Sequence, residues 1–537
     1  MISNVMLKFK SIYYFGLIAL ALFIRSLTWN SNFLNIDELE WIYLLQRIKV
    51  NAIPFEGFVA HTTGPLAIYF LSFLNFFQEN PTLSGLRQFQ FFICIVPSFY
   101  LLYKSVSAGG KWISILIFFL FIITNDSKYS LTASVNDFFA YNTEYMLMIA
   151  IAIIYYLQQA GTHKNARIFI IALMCFGLFF IKSQAIVFSG YFLCIYFIQL
   201  YLYDIKKAYL LILYTSIITI LIIFFLFIND IWDSFLVEYL HKNFLYAQSN
   251  KSNLLSQLVN VNQVFLESIL YFWILFVAFV VYLLWRIFRL NDLVFLSNRS
   301  LKAVLLLFVS LFVVFVSTNN FNHYKVFLFF PMSLTLGEVF ASFRIQLVQH
   351  KVQVAALIIL SYVIFYRSVL LEVYQYISNN KLEEYRNSIG VNPLYVKGAN
   401  PFWSTNNNLN KKERIRVFQF LRKKLNSDNY KSKIYIFGWF VGQGYYYELL
   451  KFGIPVSKSA QNQYLLDWFF AKDYNNYQKE ENQLISELKK NKPEWIVDSE
   501  RVLFSLKNLP IERFVISNYI IAYKSENFII YRSRATL

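Results

Sequence analysis

Long apolar runs, separated by short polar links that carry lysine and arginine, follow one another along the first 371 residues. The run at 11–28 follows Lys8 and Lys10 and has no small-residue cleavage site behind it, which predicts a retained signal-anchor with its N-terminus inside. Further apolar runs that predict spans lie at 87–103, 111–124, 139–158, 167–181, 185–203, 208–228, 265–285, 301–317, 325–341 and 352–371. The pattern predicts an α-helical polytopic membrane protein with about eleven spans.

The apolar segment 64–77 is the exception to this alternation. Its roughly fourteen residues are too few for a comfortable crossing, which needs about twenty, so we expect a juxtamembrane or re-entrant helix in the first outer loop. The run at 87–103 then brings Lys104 and Lys111 to the inside, as the positive-inside rule requires. The remaining inner loops are also basic, through Lys164, Arg167, Lys206, Lys207, Arg286, Arg289, Arg299, Arg344 and Lys351.

Composition agrees with a membrane protein. The chain is 57% hydrophobic and only 15% charged, whereas soluble globular proteins are about 25% charged. The net charge of +18 would suggest a nucleic-acid partner in a soluble protein, but here the lysines and arginines set orientation, so we expect no nucleic acid. The three cysteines lie inside apolar runs and form neither a disulfide framework nor a zinc pattern.

An adjacent pair of carboxylates, Asp37 and Glu38, emerges on the outer face directly after the first span. Charge is expensive near lipid, which favours a functional role. An acidic first turn of a short helix capped by Asn35 would also explain the pair, because carboxylates are stabilised at a helix N-terminus. The residues alone leave both explanations open.

The same topology gathers chemically capable residues from four loops on the outer face. The candidates are Asp37, Glu38 and His61 in the loop 30–85, Asn142 and Glu144 in the loop 125–144, Lys182 and Gln184 between two spans, and His323, Tyr324 and Lys325 in the loop 318–325. Lys182 could point into an internal cavity, or it could extend its ammonium to the interface.

After residue 371 the composition becomes polar and charged. The pattern predicts strands at 433–438 and 494–498, helices at 442–452 and 481–491, and a hairpin over 514–532. We therefore expect a transmembrane module at 1–371 and a small C-terminal α/β extracytoplasmic domain at 372–537.

The order of these features resembles the GT-C superfold of membrane glycosyltransferases, and most closely its protein O-mannosyltransferase and aminoarabinose-transferase branch, family 39. The matching elements are Asp37-Glu38 with Trp41 and Tyr43, His61 with Gly64-Pro65-Leu66 and Tyr69, Asn142-Thr143-Glu144, His323-Tyr324 with Pro331, and, in the tail, 436–439, 445–447 and 492–497. The chain departs from the family at Thr63-Gly64, where many relatives have Lys-Pro. The lysine expected near the donor phosphate is therefore missing from that spot.

The resemblance implies inverting transfer of a single sugar from a polyprenyl phosphate to a hydroxyl on a lipid, glycan or protein acceptor. Asp37 matches the expected base, and Lys182, His61, His323 and Lys325 are the available donors for the phosphate, with Lys182 the first choice. Glu144 could hold the acceptor, orient a loop or help bind a divalent cation, or it could be the solvated start of a span. No dedicated metal-ligand pattern is present.

A transporter or a flippase of lipid-linked glycans is the alternative function, because many spans with polar residues also describe those proteins. The chain shows no internal repeat, and its polar residues cluster at outer span ends, which favours the enzyme. The high content of Ile, Phe, Tyr, Asn and Lys suggests an AT-rich bacterial genome. We therefore expect undecaprenyl phosphate as the carrier, in the inner membrane facing the periplasm.

Overall fold

The structure is a computed structural model that describes part of the chain. The described residues are 2–26, 29, 41, 44–45, 48–49, 52–55, 63–78, 83–124, 142–159, 163–241, 243, 299–316, 326–342, 416, 420–421, 424, 434–437, 485–486, 488–489, 492–498, 510–525 and 528–536.

Helices make up the described part of the transmembrane region. They are α1 (Ile2–Ser26), α2 (Pro65–Ser72), α3 (Leu83–Phe89), α4 (Val96–Ser105), α5 (Lys111–Thr124), α6 (Asn142–Gln159), α7 (Asn165–Ile181), α8 (Ile186–Tyr203), α9 (Ile205–Ile228), α10 (Trp232–Ser234), α11 (Arg299–Val316) and α12 (Val326–Ser342). The 3₁₀ turns Phe73–Phe76 and Ser183–Ala185 and the π-helical segments Gln90–Ile95 and Phe235–His241 connect or extend them.

Within the described residues, three helical segments are long and apolar enough to cross a membrane, namely Ser84–Ser105, Ser183–Tyr203 and Ile205–Ile228. Shorter apolar helices occupy four more of the predicted spans, at Tyr13–Ser26, Lys111–Ile123, Asn165–Ile181 and Val326–Ala341. Helices α6 and α11 lie at the predicted spans 139–158 and 301–317. The predicted spans 265–285 and 352–371 lie outside the described residues, so the count of about eleven stays a prediction. The predominantly helical, polytopic architecture is confirmed.

The short helix predicted at 64–77 is present as α2, with eight residues, and the four-residue 3₁₀ turn that follows it. At 1.5 Å per residue α2 covers about 12 Å, less than half of the roughly 30 Å hydrocarbon core. This length is that of a juxtamembrane or re-entrant helix.

Two packed helices close the end of the bundle that the charge pattern assigns to the inside. A Cβ added to Gly110, just before α5, would lie 1.8 Å from the carbonyl oxygen of Gly337 in α12, so only glycine permits this approach. Ser107 donates from its backbone N–H (2.7 Å) and its hydroxyl (2.9 Å) to the buried carboxylate of Glu338. Both contacts hold the link before α5 against α12.

The C-terminal region contains a four-stranded sheet in the order β1-β2-β4-β3. Its strands are β1 (Ile434–Phe437), β2 (Trp495–Asp498), β3 (Tyr519–Lys524) and β4 (Ile529–Ser533). Strands β1 and β2 pair in parallel, whereas β4 pairs antiparallel with both β2 and β3. The strands predicted at 433–438 and 494–498 are confirmed.

The hairpin predicted over 514–532 needs a correction at its start. Residues 514–518 belong to helix α13 (Pro510–Asn518), and only β3 and β4 form the hairpin. Ile511 and Val515, four residues apart, are both buried, which is the spacing of one helix face. The predicted helix at 442–452 lies outside the described residues, and the assignment of 372–537 as a separate domain stays a prediction.

Candidate functional site

Six of the residues that the sequence proposes for the site lie outside the described residues: Asp37, Glu38, His61, His323, Tyr324 and Lys325. Asn142 is the first residue of α6. Glu144, Lys182 and Gln184 are described together with their surroundings. The geometry therefore concerns the outer ends of α6 and α7 and the segments that meet there.

Glu144 and Lys182 form a buried ion pair in which the ammonium donates to Oε1 of the carboxylate. Their side chains are 3% and 5% exposed, whereas a lysine that extends to the interface would expose its ammonium. Thr143 donates from its hydroxyl to the other carboxylate oxygen of Glu144 at 2.8 Å. Glu144 also lies in the first turn of α6, where the helix dipole favours negative charge.

The backbone explains why Lys182 turns inward. Helix α7 ends at Ile181, and Lys182 is extended (φ −156°, ψ 132°) before the 3₁₀ turn Ser183–Ala185 leads into α8. The Lys182 ammonium lies 5.9 Å from the centre of the Phe327 ring in α12. Because α12 begins at Val326, directly after Lys325, the fourth outer loop ends close to Lys182.

The Gly-Pro motif of the first outer loop contacts the same place. The Gly64 N–H donates to the carbonyl oxygen of Ile181 at 2.8 Å, one residue before Lys182. A Cβ on Gly64 would lie 1.9 Å from the carbonyl oxygen of Phe180, so this approach requires glycine. Trp41, four residues after Asp37, is buried, which anchors another part of the first outer loop.

Two buried arginines at this end were not proposed from the sequence. Arg25, in the last turn of α1, donates from Nη2 to Oε1 of Gln90 at 2.9 Å and lies with its Cζ 5.7 Å from the centre of the Tyr145 ring. Arg87 in α3 donates to the carbonyl oxygen of Trp29 at 3.3 Å. Both are 1% exposed.

A sequence signal for both arginines existed. Arg25 lies inside the apolar run 11–28, and Arg87 opens the run 87–103. Ionisable residues inside or at the ends of spans mark functional sites. In the apolar pattern Arg87 marks only the start of a span, and Arg25 is a single charge within a run.

The buried charged side chains at this end of the bundle are three cations and one anion among the described residues. Arg25, Arg87 and Lys182 are cationic, and Glu144 is anionic. Tyr145, which contacts Arg25, follows Glu144 directly in α6, so Arg25 and the Glu144–Lys182 pair lie at the same end of the bundle. Together with Arg87 they are called the cationic cluster. A dry, positively charged cluster of this kind suits a phosphate, because charge-assisted hydrogen bonds are strongest where water is excluded.

An apolar cavity of about 610 Å³ begins beside the cluster. Its wall is formed by α2, α6, α7 and α9 and includes Pro65 and Ile181, the neighbours of Gly64 and Lys182. Almost no polar atom faces this cavity. A hydrocarbon chain fits such a wall, whereas a sugar, with its hydroxyl groups, does not.

A metal site is not formed by the described residues. No group of three or more His, Cys, Asp and Glu side chains among them is arranged to hold a metal ion. Glu144, the carboxylate suggested as a ligand, is instead bonded to Lys182 and Thr143. Asp37 and Glu38 lie outside the described residues.

No protein-family model and no curated protein sequence matches the chain. Solved structures are similar to it. ArnT from Cupriavidus metallidurans bound to undecaprenyl phosphate has a TM-score of 0.51 at 10% identity, covering 96% of this chain and 97% of that chain. The apo state of the same protein has a TM-score of 0.51 at 10% identity, covering 98% of this chain and 99% of that chain.

Archaeal oligosaccharyltransferase AglB from Archaeoglobus fulgidus, in complex with an inhibitory peptide and a dolichol-phosphate, has a TM-score of 0.43 at 12% identity, covering 98% of this chain and 75% of that chain. The likeness to ArnT over nearly the whole of both chains shows the fold that the sequence resemblance implies, a GT-C membrane glycosyltransferase fold.

Proposed function

We propose that the protein is an inverting glycosyltransferase that moves a single sugar from a polyprenyl phosphate to a hydroxyl acceptor. The observation that carries the proposal is the buried cationic cluster around the Glu144–Lys182 pair, with an apolar cavity beginning at the next residue, Ile181. A phosphate joined to a long hydrocarbon chain needs these two environments side by side. The binding of undecaprenyl phosphate by ArnT, a protein of the same fold, supports this donor class.

In this mechanism the phosphate of the donor lies near Lys182, Arg25 and Arg87. Asp37 takes the proton from the acceptor hydroxyl, the resulting oxygen attacks the anomeric carbon from the opposite side, and the bond from that carbon to the phosphate oxygen breaks. The polyprenyl phosphate leaves with the bonding electrons. The cations stabilise the charge that builds on the phosphate in the transition state.

The lysine missing from the Gly64-Pro65 motif has a substitute in this scheme. Lys182 lies one residue from Ile181, the carbonyl acceptor of Gly64, so its ammonium enters the cluster from α7 rather than from the first outer loop. Glu144 holds this ammonium in place. We assign Asn142, Gln184, His61, His323, Tyr324 and Lys325 to the surrounding donor and acceptor surface.

The location follows from the charge pattern. With basic inner loops, the cluster lies on the extracytoplasmic side, and we propose the bacterial inner membrane with the site and residues 372–537 facing the periplasm. Carboxylates outside the described residues could bind a divalent cation, which would neutralise part of the phosphate charge.

Transfer by membranes supplied with a polyprenyl-phosphate sugar tests the proposal. Asp37→Asn keeps the size of the side chain but cannot take a proton, so we expect turnover to fall by two to four orders of magnitude, roughly the contribution of general base catalysis, with donor binding retained. Glu38→Gln is the matched control, because adjacent helical residues point about 100° apart. Normal turnover in both variants would favour the transporter or flippase function.

The hydrocarbon part of the donor is tested separately. Gly177 lines the cavity, and a Cβ there would lie 3.2 Å from a side-chain carbon of Leu66, another lining residue. Gly177→Leu should therefore weaken binding of a long polyprenyl phosphate more than that of a short-chain analogue. Gly190→Leu, where an added Cβ meets no atom within 4 Å, should leave both unchanged. Equal loss for long and short chains in Gly177→Leu would separate the cavity from the donor.

A further inference from the structure

A second polar cluster lies at the opposite end of the bundle, where α6 ends, α7 begins, α8 ends and α9 and α11 begin. His163, in the link between α6 and α7, lies with its ring centre 4.9 Å from that of Tyr203 and 5.9 Å from that of Tyr196, both in α8. The charge pattern assigns this end to the inside. It belongs neither to the candidate site nor to the apolar cavity.

Three cations from three different helices lie near His163. Burial is the largest cause of the lowered pKa of His163, and Arg167 in α7, Lys302 in α11 and Lys207 in α9 lower it further. The Lys207 ammonium donates to the side-chain oxygen of Asn165. Helices that are far apart in sequence thus each contribute a cation near His163.

Hydrogen-bond donors at the same point have no partner within the described part of the chain. These are the hydroxyl of Tyr196 and the amide nitrogen of Gln199, and Nδ1 of His163, which can donate or accept, has no partner there either. Tyr196 is 0% exposed, and Gln199 follows it on the same face of α8, one turn later. Buried donors without acceptors are costly, so the arrangement calls for an acceptor-rich group.

The described carboxylates at this end are engaged elsewhere. Asp204 accepts from the backbone N–H of Lys206 at 3.0 Å and caps α9. Glu338 accepts both hydrogen bonds of Ser107. Both carboxylates therefore have hydrogen-bond donors of their own.

The surroundings are those of a membrane interface. Tyr201, Tyr203 and Tyr209 are all more than half exposed and lie at the adjoining ends of α8 and α9. Exposed tyrosines at helix ends mark the level of lipid headgroups. A group that reaches the cluster from the side would therefore come from the bilayer.

We propose that this cluster, formed by His163, Arg167, Tyr196, Gln199, Lys207 and Lys302, is a binding site for the phosphate headgroup of an anionic phospholipid from the leaflet that faces the inner loops. The phosphate oxygens accept from Tyr196 and Gln199, and the three cations balance the charge. Basic pockets between helices on this side of a membrane commonly hold anionic headgroups. The acyl chains lie along the exposed apolar surface of α8 and α9.

The test uses the full chain, purified and delipidated in a neutral detergent. Phosphatidylglycerol, phosphatidylcholine and inorganic phosphate are added separately, and the thermal unfolding midpoint and the lipid retained in native mass spectrometry are measured. We expect a rise in the midpoint and retention with phosphatidylglycerol alone. An equal rise in the midpoint with phosphatidylcholine would overturn the proposal. So would complete displacement of phosphatidylglycerol by inorganic phosphate at millimolar concentration.

Matched substitutions sharpen the result. Lys207→Gln should weaken phosphatidylglycerol binding about fivefold, whereas the exposed neighbour Lys206→Gln should leave it within about twofold. Tyr196→Phe should also reduce lipid retention, and without lipid it should unfold no earlier than the natural protein, because the lost hydroxyl has no described partner. Equal weakening by Lys206→Gln and Lys207→Gln would reduce the site to a general basic surface and overturn it.

Discussion

Replacing both members of the Glu144–Lys182 pair distinguishes a structural ion pair from a donor site. Glu144→Gln alone removes the carboxylate that holds a 5% exposed lysine side chain, and Lys182→Met alone removes the cation that faces a buried carboxylate. Breaking a buried pair from one side costs roughly 3–5 kcal/mol of unfolding free energy. The double variant should recover most of that loss, because replacing both charges is often close to neutral.

Donor binding should not recover with stability. If Lys182 holds the donor phosphate, the double variant lacks a charge-assisted hydrogen bond worth roughly 1.5–3 kcal/mol, which corresponds to a loss of affinity of about ten- to a hundred-fold. Unfolding of the purified protein in mixed micelles gives the stability cycle, and binding of a labelled polyprenyl phosphate gives the affinity. Lys128→Ala, which removes a lysine of the second outer loop, is the control for general surface charge.

Two results would refute this reasoning. Stability losses that simply add in the double variant would mean that the two side chains do not act as a pair. A stable double variant that binds the donor normally would make the pair structural, and would leave Arg25 and Arg87 as the cations for the phosphate.

Three further predictions concern two contacts and the topology. Gly64→Ala should cost roughly 1–3 kcal/mol by overpacking against α7, measured as a lower unfolding midpoint, whereas Gly190→Ala, in an open helical position, should be neutral or stabilising by about 0.5–1 kcal/mol. Arg25→Lys should lower stability by roughly 1–3 kcal/mol despite the retained charge, because an ammonium cannot reproduce the planar contacts of a guanidinium; an unchanged midpoint would contradict this. Reporter fusions at Tyr395 and Glu40 should both give an outer signal, and an inner signal at Tyr395 would mean that one span is miscounted.

Hydrophobic pattern was sufficient to predict most of the helices, because a spanning helix must be apolar over its length. The runs at 111–124 and 167–181 correspond to α5 and α7 within a few residues. The short helix after Gly64 was also predictable, because the apolar segment that begins at Gly64 is too short to cross the membrane. Pairing between helices was not predictable in the same way, because every apolar face is compatible with several neighbours.

The candidate site was predicted in part. Lys182 and Glu144 were proposed separately, but their direct contact depends on where α7 stops and on the extended backbone at Lys182. Arg25 and Arg87 were missed because the apolar pattern shows where a span lies, and not which charge inside or beside it is buried. The helical signal in α13 was the proline at its start and the four-residue spacing of its buried positions. The predicted hairpin nevertheless began at residue 514, because the alternating pattern of β3 was extended back into the helix.

Because of the π-helical segment Gln90–Ile95, the positions of Gln90 and Arg87 depend on the number of residues in the second span as well as on their side chains. A π turn accommodates one residue more than an α-helix over the same rise, and such insertions often lie at functional sites. Deleting one residue, such as the exposed Ile93, would keep α3 and α4 in register, whereas an uninterrupted α-helix of the same residues would rotate α3 by about 100° relative to α4. Gln90 would then turn away from Arg25, and Arg87 from its place beside Trp29, without a single change in the chemistry of either partner.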